Sequence, residues 1–266
     1  MKTSFITAIL LFVFILAQAQ ELKKKKIQGS VYTEVFQINK ESKKKQGDYL
    51  KILNYSKDTL VKGNFENDSV AGVWTYFDRD NHPRLKFNYS ADSCIWISES
   101  AIKPDTFPVR LHEKFGFARL DRPPLYIGFF NNPATIFQDN IKPPIEMMEK
   151  GESVLEIASF VVNKNGDIAE INTEEIKNSS LRFAVEKAFR INRLRYLPGI
   201  LNGQTVDTKF FVVLDIGPGG STQMIPEKPY AIHVDLKYFG IKRTQVVSTS
   251  RVSGYGGSNI GNNRRH

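Results

Sequence analysis

The stretch from Val154 to Ile216 constrains the fold more than any other part of the chain. Two apolar runs meet at Asn165-Gly166, a dipeptide whose backbone accepts the positive φ angles of a tight hairpin turn. A helical pattern follows from Leu181. Leu181, Ala184, Ala188 and Ile191 recur at helical spacing, with Val185 and Phe189 beside them, while Arg182, Lys187, Arg190 and Arg193 fall on the other side. Ser179 or Ser180 is placed to cap the first turn. Then come Arg195-Tyr196-Leu197-Pro198-Gly199, a polar stretch at Asn202-Gly203, and a closing strand from Thr208 to Ile216. The pattern predicts strand, turn, strand, helix, strand, with the helix stripe laid on an antiparallel sheet, an α+β arrangement.

This order resembles the C-terminal domain of TonB-like proteins of bacterial envelopes. The resemblance rests on Asn163-Lys164-Asn165-Gly166, the helix, Tyr196, Pro198 and Gly199, and Gly203 before the closing strand. Upstream, Asn140-Ile141-Lys142-Pro143-Pro144 and Glu149-Lys150-Gly151 sit where the family has a Tyr-Pro step, a short helix and a glycine, with Pro143 in place of the tyrosine. The resemblance implies a domain that binds a short extended receptor segment by adding it as a strand to its sheet edge. In the full role it implies transfer of inner-membrane energy to outer-membrane receptors, as in TonB-dependent transmembrane transport. Lys209, Phe211 and Val213, taken as edge residues of the closing strand, would then bind the partner. That partner would be an envelope protein, such as an outer-membrane receptor. Two features depart from the full role: the N-terminus reads as cleavable, and no long Pro-rich spacer is present.

A second pattern precedes this one. Gly47-Asp48-Tyr49 is echoed by Gly72-Val73-Trp74 after 25 residues (72 − 47), and Phe65 by Tyr89 after 24 (89 − 65). Periods in this range signal repeat architecture. Polar residues alternate with apolar or aromatic ones in Trp74-Thr75-Tyr76-Phe77 and Leu85-Lys86-Phe87-Asn88-Tyr89, a strand pattern with one aromatic face. The unit Gly63-x-Phe65 … Gly72-x-Trp74-x-Tyr76-Phe77-Asp78 resembles a MORN-type repeat. That resemblance implies an antiparallel strip of β-hairpins with glycines at the bends and aromatics packed between them. An ordinary antiparallel meander has the same local pattern. On the repeat reading, the aromatic strip offers an alternative function, that of a structural or adhesion-like protein binding envelope polymers.

The N-terminus reads as a secretory signal peptide. Lys2 gives a basic start, Phe5 to Leu16 is apolar apart from Thr7, and Ala17-Gln18-Ala19 offers a small-x-small cleavage site. The alternative is an inner-membrane anchor, for which the run is short against the ~20 residues a spanning helix needs. The expected divisions are therefore a signal peptide (1–19), a MORN-like β-repeat region (20–102), a connector (103–126), a TonB-like domain (127–217), and an extension with a disordered tail (218–266). The connector is read as irregular because Pro104, Pro108, Pro123 and Pro124 punctuate it. Leu125 to Phe130 fits a strand of either domain, Gly217-Pro218-Gly219-Gly220 should break the sheet, and Tyr230 to Phe239 alternates as one more strand. The expected location is the periplasm.

Catalytic signals are absent from the sequence. His82, His112, His233 and His266 stand alone, without metal-ligand spacing partners. Asp78-Arg79-Asp80-Asn81 starts like a calcium loop but lacks its later glycine and glutamate, so it reads as a hairpin turn. Cys94 reads as a small strand residue and Glu174-Glu175 as a solubilising pair. No catalytic residue, metal or cofactor is expected. The net charge of +9 is concentrated in runs such as Lys23 to Lys26 and Lys43 to Lys45. These suit weak contact with acidic membrane surfaces and, in an exported protein, not nucleic acid. N-terminal sequencing of the native protein is expected to begin at Gln20 or its cyclised form; an intact Met1 in the membrane fraction would show the anchor instead.

Overall fold

A computed structural model describes residues 21–78, 80–128, 133–191, 194–219 and 228–239. The signal peptide and the C-terminal tail expected from the sequence lie outside these residues. The first half is a seven-stranded antiparallel meander in simple sequence order. Its strands are β1 (Leu22–Gln28), β2 (Tyr32–Asn39), β3 (Lys45–Leu53), β4 (Thr59–Glu66), β5 (Ser69–Phe77), β6 (Pro83–Asn88) and β7 (Ser93–Ile97). Short polar turns close each hairpin. Asn67 and Asp68 both take positive φ between β4 and β5, the geometry whose twist matches the flanking strands. The Asp78 carboxylate accepts the amides of Asp80 and His82 at 3.0 and 2.8 Å, which makes that acidic cluster a hairpin turn, as its sequence predicts.

The echoed glycines have a common cause. Gly47 (φ 83°) and Gly72 (φ 61°) each sit beside a register shift, two residues before Tyr49 and Trp74. Gly72 is thus a bulge glycine within β5 and not a crowded bend: a Cβ there would meet nothing within 4 Å. At Gly47 a Cβ would meet the flexible end of Gln37, but at Gly63 it would lie 2.2 Å from the packed Trp74 ring. Trp74 stacks on Tyr49 at 5.2 Å, and Phe65 meets both rings edge-on. The indole N–H donates to the carbonyls of Asn64 and Ala71. The aromatic face of the strip is therefore a core, closed by Leu125, Ile127 and Leu197.

The second half is built on a mixed sheet. The chain passes a 3₁₀ turn (Glu99–Ile102) and enters β8 (Asp105–Leu111), β9 (Lys114–Leu120) and β10 (Leu125–Tyr126). Then follow α1 (Ala134–Asn140), α2 (Ile145–Lys150), β11 (Val154–Val162), β12 (Ile168–Asn172), α3 (Ser179–Ile191), β13 (Tyr196–Leu197), β14 (Gly199–Leu201), β15 (Gln204–Val206), β16 (Thr208–Pro218) and β17 (Ala231–Tyr238). The sheet order is β12-β11-β16-β8-β9, with β17 paired in parallel to β16. Alternate residues of β11, β16 and β17 face the helices: α1 lies against β17, and α3 buries Leu181, Val185, Ala188 and Phe189 in the same core. Phe160 and Phe210 stack at 5.3 Å beneath Phe189.

Several expectations are corrected here. The stretch expected as an irregular connector forms the β8–β9 hairpin, because its prolines flank the strands or, at Pro108, occupy a position whose N–H is not needed. Asn178, not Ser179 or Ser180, caps α3, its side-chain oxygen accepting the Leu181 amide at 2.9 Å. Ile191 lies outside the buried stripe. Arg182 turns back to the Ile176 carbonyl and does not face away. Gly217 and Pro218 continue β16 and do not break it.

Phe189 is 6% exposed, so Phe189→Ala is expected to cost about 3–5 kcal/mol in denaturant unfolding; a loss under ~1 kcal/mol would refute this packing. Gly63→Ala must push the Trp74 ring and should cost roughly 1–3 kcal/mol with a changed near-ultraviolet dichroism. Gly72→Ala has room and should cost roughly 1–2 kcal/mol through its left-handed backbone, with the Trp74 signal kept. An unaltered signal in Gly63→Ala would overturn the stacking argument.

Candidate functional site

Lys209, Phe211 and Val213 lie together on one face of β16, but β16 is not an edge. β11 pairs along one side of it, from Val154↔Ile216 to Val162↔Thr208. The other side pairs with β8 at Thr208↔Val109 and with β17 from Phe211↔Ala231 onward. The Phe211 amide is spent on the Tyr230 carbonyl at 2.9 Å. Strand addition at these residues is therefore blocked by the protein's own chain. The sequence hides this, since a strand's neighbours are set by distant segments.

The three side chains instead belong to the outer face of the sheet, opposite α3. Val213 is 7% exposed between Ile157 and His233. Phe211 packs edge-on to Tyr230 at 6.1 Å. Lys209 lies over the rings of Phe115 and Phe211 at 5.7 and 5.3 Å. It lines a depression of about 260 Å³ with Phe115, Ser159, Val161, Glu170 and Asn172. Arg110 stacks on Phe115 at 4.5 Å and binds Glu170 and Asp207. The hydrogen bond that Arg110 donates to the Glu170 carboxylate raises the guanidinium above its ordinary value, so it stays a fixed cation at the rim.

The open edge lies one hairpin away, on β9. The Arg110 amide donates to the Asp207 carbonyl at 3.0 Å, on the side away from β9. Arg110↔Phe115 is thus a non-hydrogen-bonded pair, and by the two-residue alternation of antiparallel ladders so are Pro108↔Phe117 and Thr106↔Arg119. This fits Pro108, which has no N–H to give. The N–H and C=O groups of Phe115, Phe117 and Arg119 therefore point outward. The next group in phase, the Asp121 amide, already donates to the Ile200 carbonyl of β14 at 2.8 Å. A ladder starts on the outer edge of β9 at Ile200 and stops; no strand among the described residues continues it.

The edge suits an extended guest. The β8–β9 register runs without a shift, whereas β12 is short, its pairing to β11 shifts register, and Glu170 in it takes positive φ. Phe117 is 65% exposed and tilts against Tyr230 at 5.6 Å. On the opposite face Gly116 and Ala118 leave little side chain in the way. The residue alternation Phe115-Gly116-Phe117-Ala118-Arg119 was present in the sequence, and the surrounding prolines concealed it.

Among the described residues, no group of three His, Cys, Asp or Glu side chains can hold a metal ion. Burial raises the Cys94 thiol, which opposes nucleophilic chemistry there. Of the basic residues on α3, Arg190 pairs with Glu186 at 3.5 Å, and Arg182 is held by the preceding loop. No described helix is long and apolar enough to cross a membrane. No protein-family model, no curated protein and no solved structure matches this chain.

Proposed function

We propose that this chain is an exported, non-enzymatic envelope protein that captures an extended segment of a partner protein by adding it as a strand to β9. The observation that carries this reading is the outward row of backbone groups at Phe115, Phe117 and Arg119, in phase with the rung already made by Ile200. Backbone pairing along such an edge supplies affinity, and alternate side-chain positions supply specificity. A guest strand would lay one set of side chains beside Phe115 and Phe117 and the other beside Gly116 and Ala118. The TonB-like order of elements and the apolar N-terminal run support the envelope setting. Outer-membrane receptors remain the partner class that the resemblance suggests. Lys209 and Phe211 take a different part in this reading, as the floor beside the guest's aromatic-facing side.

A proline in an edge strand is tolerated when its missing N–H faces outward. Arg119→Pro is therefore expected to stay folded and to weaken capture of envelope proteins at least ~10-fold, through a lost rung and a blocked approach. Arg119→Ala keeps the rung and should change capture by less than about threefold, the scale of one exposed side chain. With the captured partner added, the amides of Phe115, Phe117 and Arg119 should exchange with solvent at least ~10-fold more slowly. Unchanged exchange at these amides, with binding intact, would rule out this edge.

A further inference from the structure

We infer that the outer face of the seven-stranded meander binds a linear acidic polysaccharide laid across its strands. This surface is separate from the β9 edge. The registers place Lys26 opposite Val35, Val35 opposite Leu50, and Leu50 opposite Lys62. The same row continues through Thr75 and Lys86 to Trp96. One lateral line of side chains thus crosses all seven strands on the face opposite the aromatic core. Strand spacing puts Lys26 and Lys62 about 14 Å apart, and Lys62 and Lys86 about 10 Å apart.

The residues between the lysines are half-buried and apolar or hydroxylated. Val35, Leu50 and Phe77 floor a groove of about 420 Å³, with Lys24 and Lys62 at its sides. Trp96, an exposed ring at the end of the row, has the Lys86 ammonium over its face at 5.9 Å. None of Lys24, Lys26, Lys62 and Lys86 forms an ion pair with a described carboxylate. Asp48 is the acidic residue beside the groove. Cations held at intervals over an apolar floor, with an indole face at one end, fit a chain of rings that carries regularly spaced anions.

The shape selects the class of polyanion. Adjacent strands rotate by about 20–25°, so six steps turn the row through roughly 120–150°. A flat anionic bilayer can meet only part of such a row, whereas a flexible chain can follow it. The export signal expected at the N-terminus favours a glycan over a nucleic acid.

The test uses the full chain with polygalacturonate as probe. Uncharged dextran, a single-stranded DNA 20-mer and phosphatidylglycerol vesicles serve as comparisons. Binding to polygalacturonate should be measurable at low salt, fall steeply as salt rises, and exceed binding to each comparison. The triple variant Lys26→Gln, Lys62→Gln, Lys86→Gln should lose at least ~10-fold in affinity. The charge-matched triple Lys142→Gln, Lys164→Gln, Lys177→Gln, on exposed positions of the second half, should stay within about threefold. Trp96→Ala should weaken binding with the charge unchanged. Lys62→Gln alone is included as the milder variant if the first triple melts early. Equal losses from the two triples would reduce the effect to net charge and overturn the site. Absence of binding at low salt, or DNA or vesicles bound as tightly as the glycan, would overturn the assignment.

Discussion

The structure depends on side-chain alternation at one short ladder. β10 pairs with β13 through Leu125↔Leu197 and Tyr126↔Tyr196. Successive side chains of a strand point to opposite faces. Leu125, Ile127 and Leu197 therefore enter the core of the meander, while Tyr126 and Tyr196 enter the core beneath α3. A few residues seal two cores at once. A shift of one residue would exchange apolar and phenolic groups between them. Arg84, 3% exposed on β6, donates to the carbonyls of Tyr126 and Gly128 at 3.1 and 2.8 Å. Its Nε and Nη1 have no partner among the described residues, and burial pushes the guanidinium down. A buried cation so incompletely matched contributes little net stability. Its bonds to these two carbonyls fix where the ladder docks.

The same joint explains why the meander's aromatics do not form a binding strip. Tyr49, Trp74, Tyr76 and Phe87 are among its most buried residues, and the ladder closes over them. Burial of the phenol pushes Tyr76 far above its ordinary value. Its hydroxyl meets that of Tyr89 at 2.7 Å, so the one polar group it brings inside is matched. Adhesion through this aromatic face would require the two halves to separate. Any contact made by the meander has to use its other, lysine-bearing face or its ends.

Much of this was legible in the sequence, and the gaps have physical reasons. Asn165-Gly166, the α3 stripe and the alternation from Tyr230 are local signals, and local periodicity reports them. The bulge glycines Gly47 and Gly72 are visible in the sequence as an echo; the crowding of Gly63 is not, because only the fold lays Trp74 across it. Proline reads as a breaker, so β8 was missed; Pro108 is harmless there because its absent donor points away from β9. The edge was misplaced for the opposite reason. Thr208 to Ile216 has every local mark of a strand, yet none of its residues reports that β11 and β17 already flank it.

The fork at the start of β16 links the closed strand to the open one. β8 holds β16 at Thr208↔Val109 only, and β17 takes over at Phe211↔Ala231. Tyr230 fills the divergence, with rings of Phe107, Phe117 and Phe211 around it at 5.6–6.1 Å. Because one side of β16 must serve two partners, β8 holds only its start and β17 covers it from Phe211 to Pro218. The β8–β9 hairpin extends the sheet beyond this fork, and among the described residues its outer edge meets only β14. β14 covers it only at Asp121 and Arg122. β9 ends the order β12-β11-β16-β8-β9, so beyond β14 its outer edge stays open, whereas both sides of β16, the strand whose sequence most invites pairing, are taken by the protein's own chain.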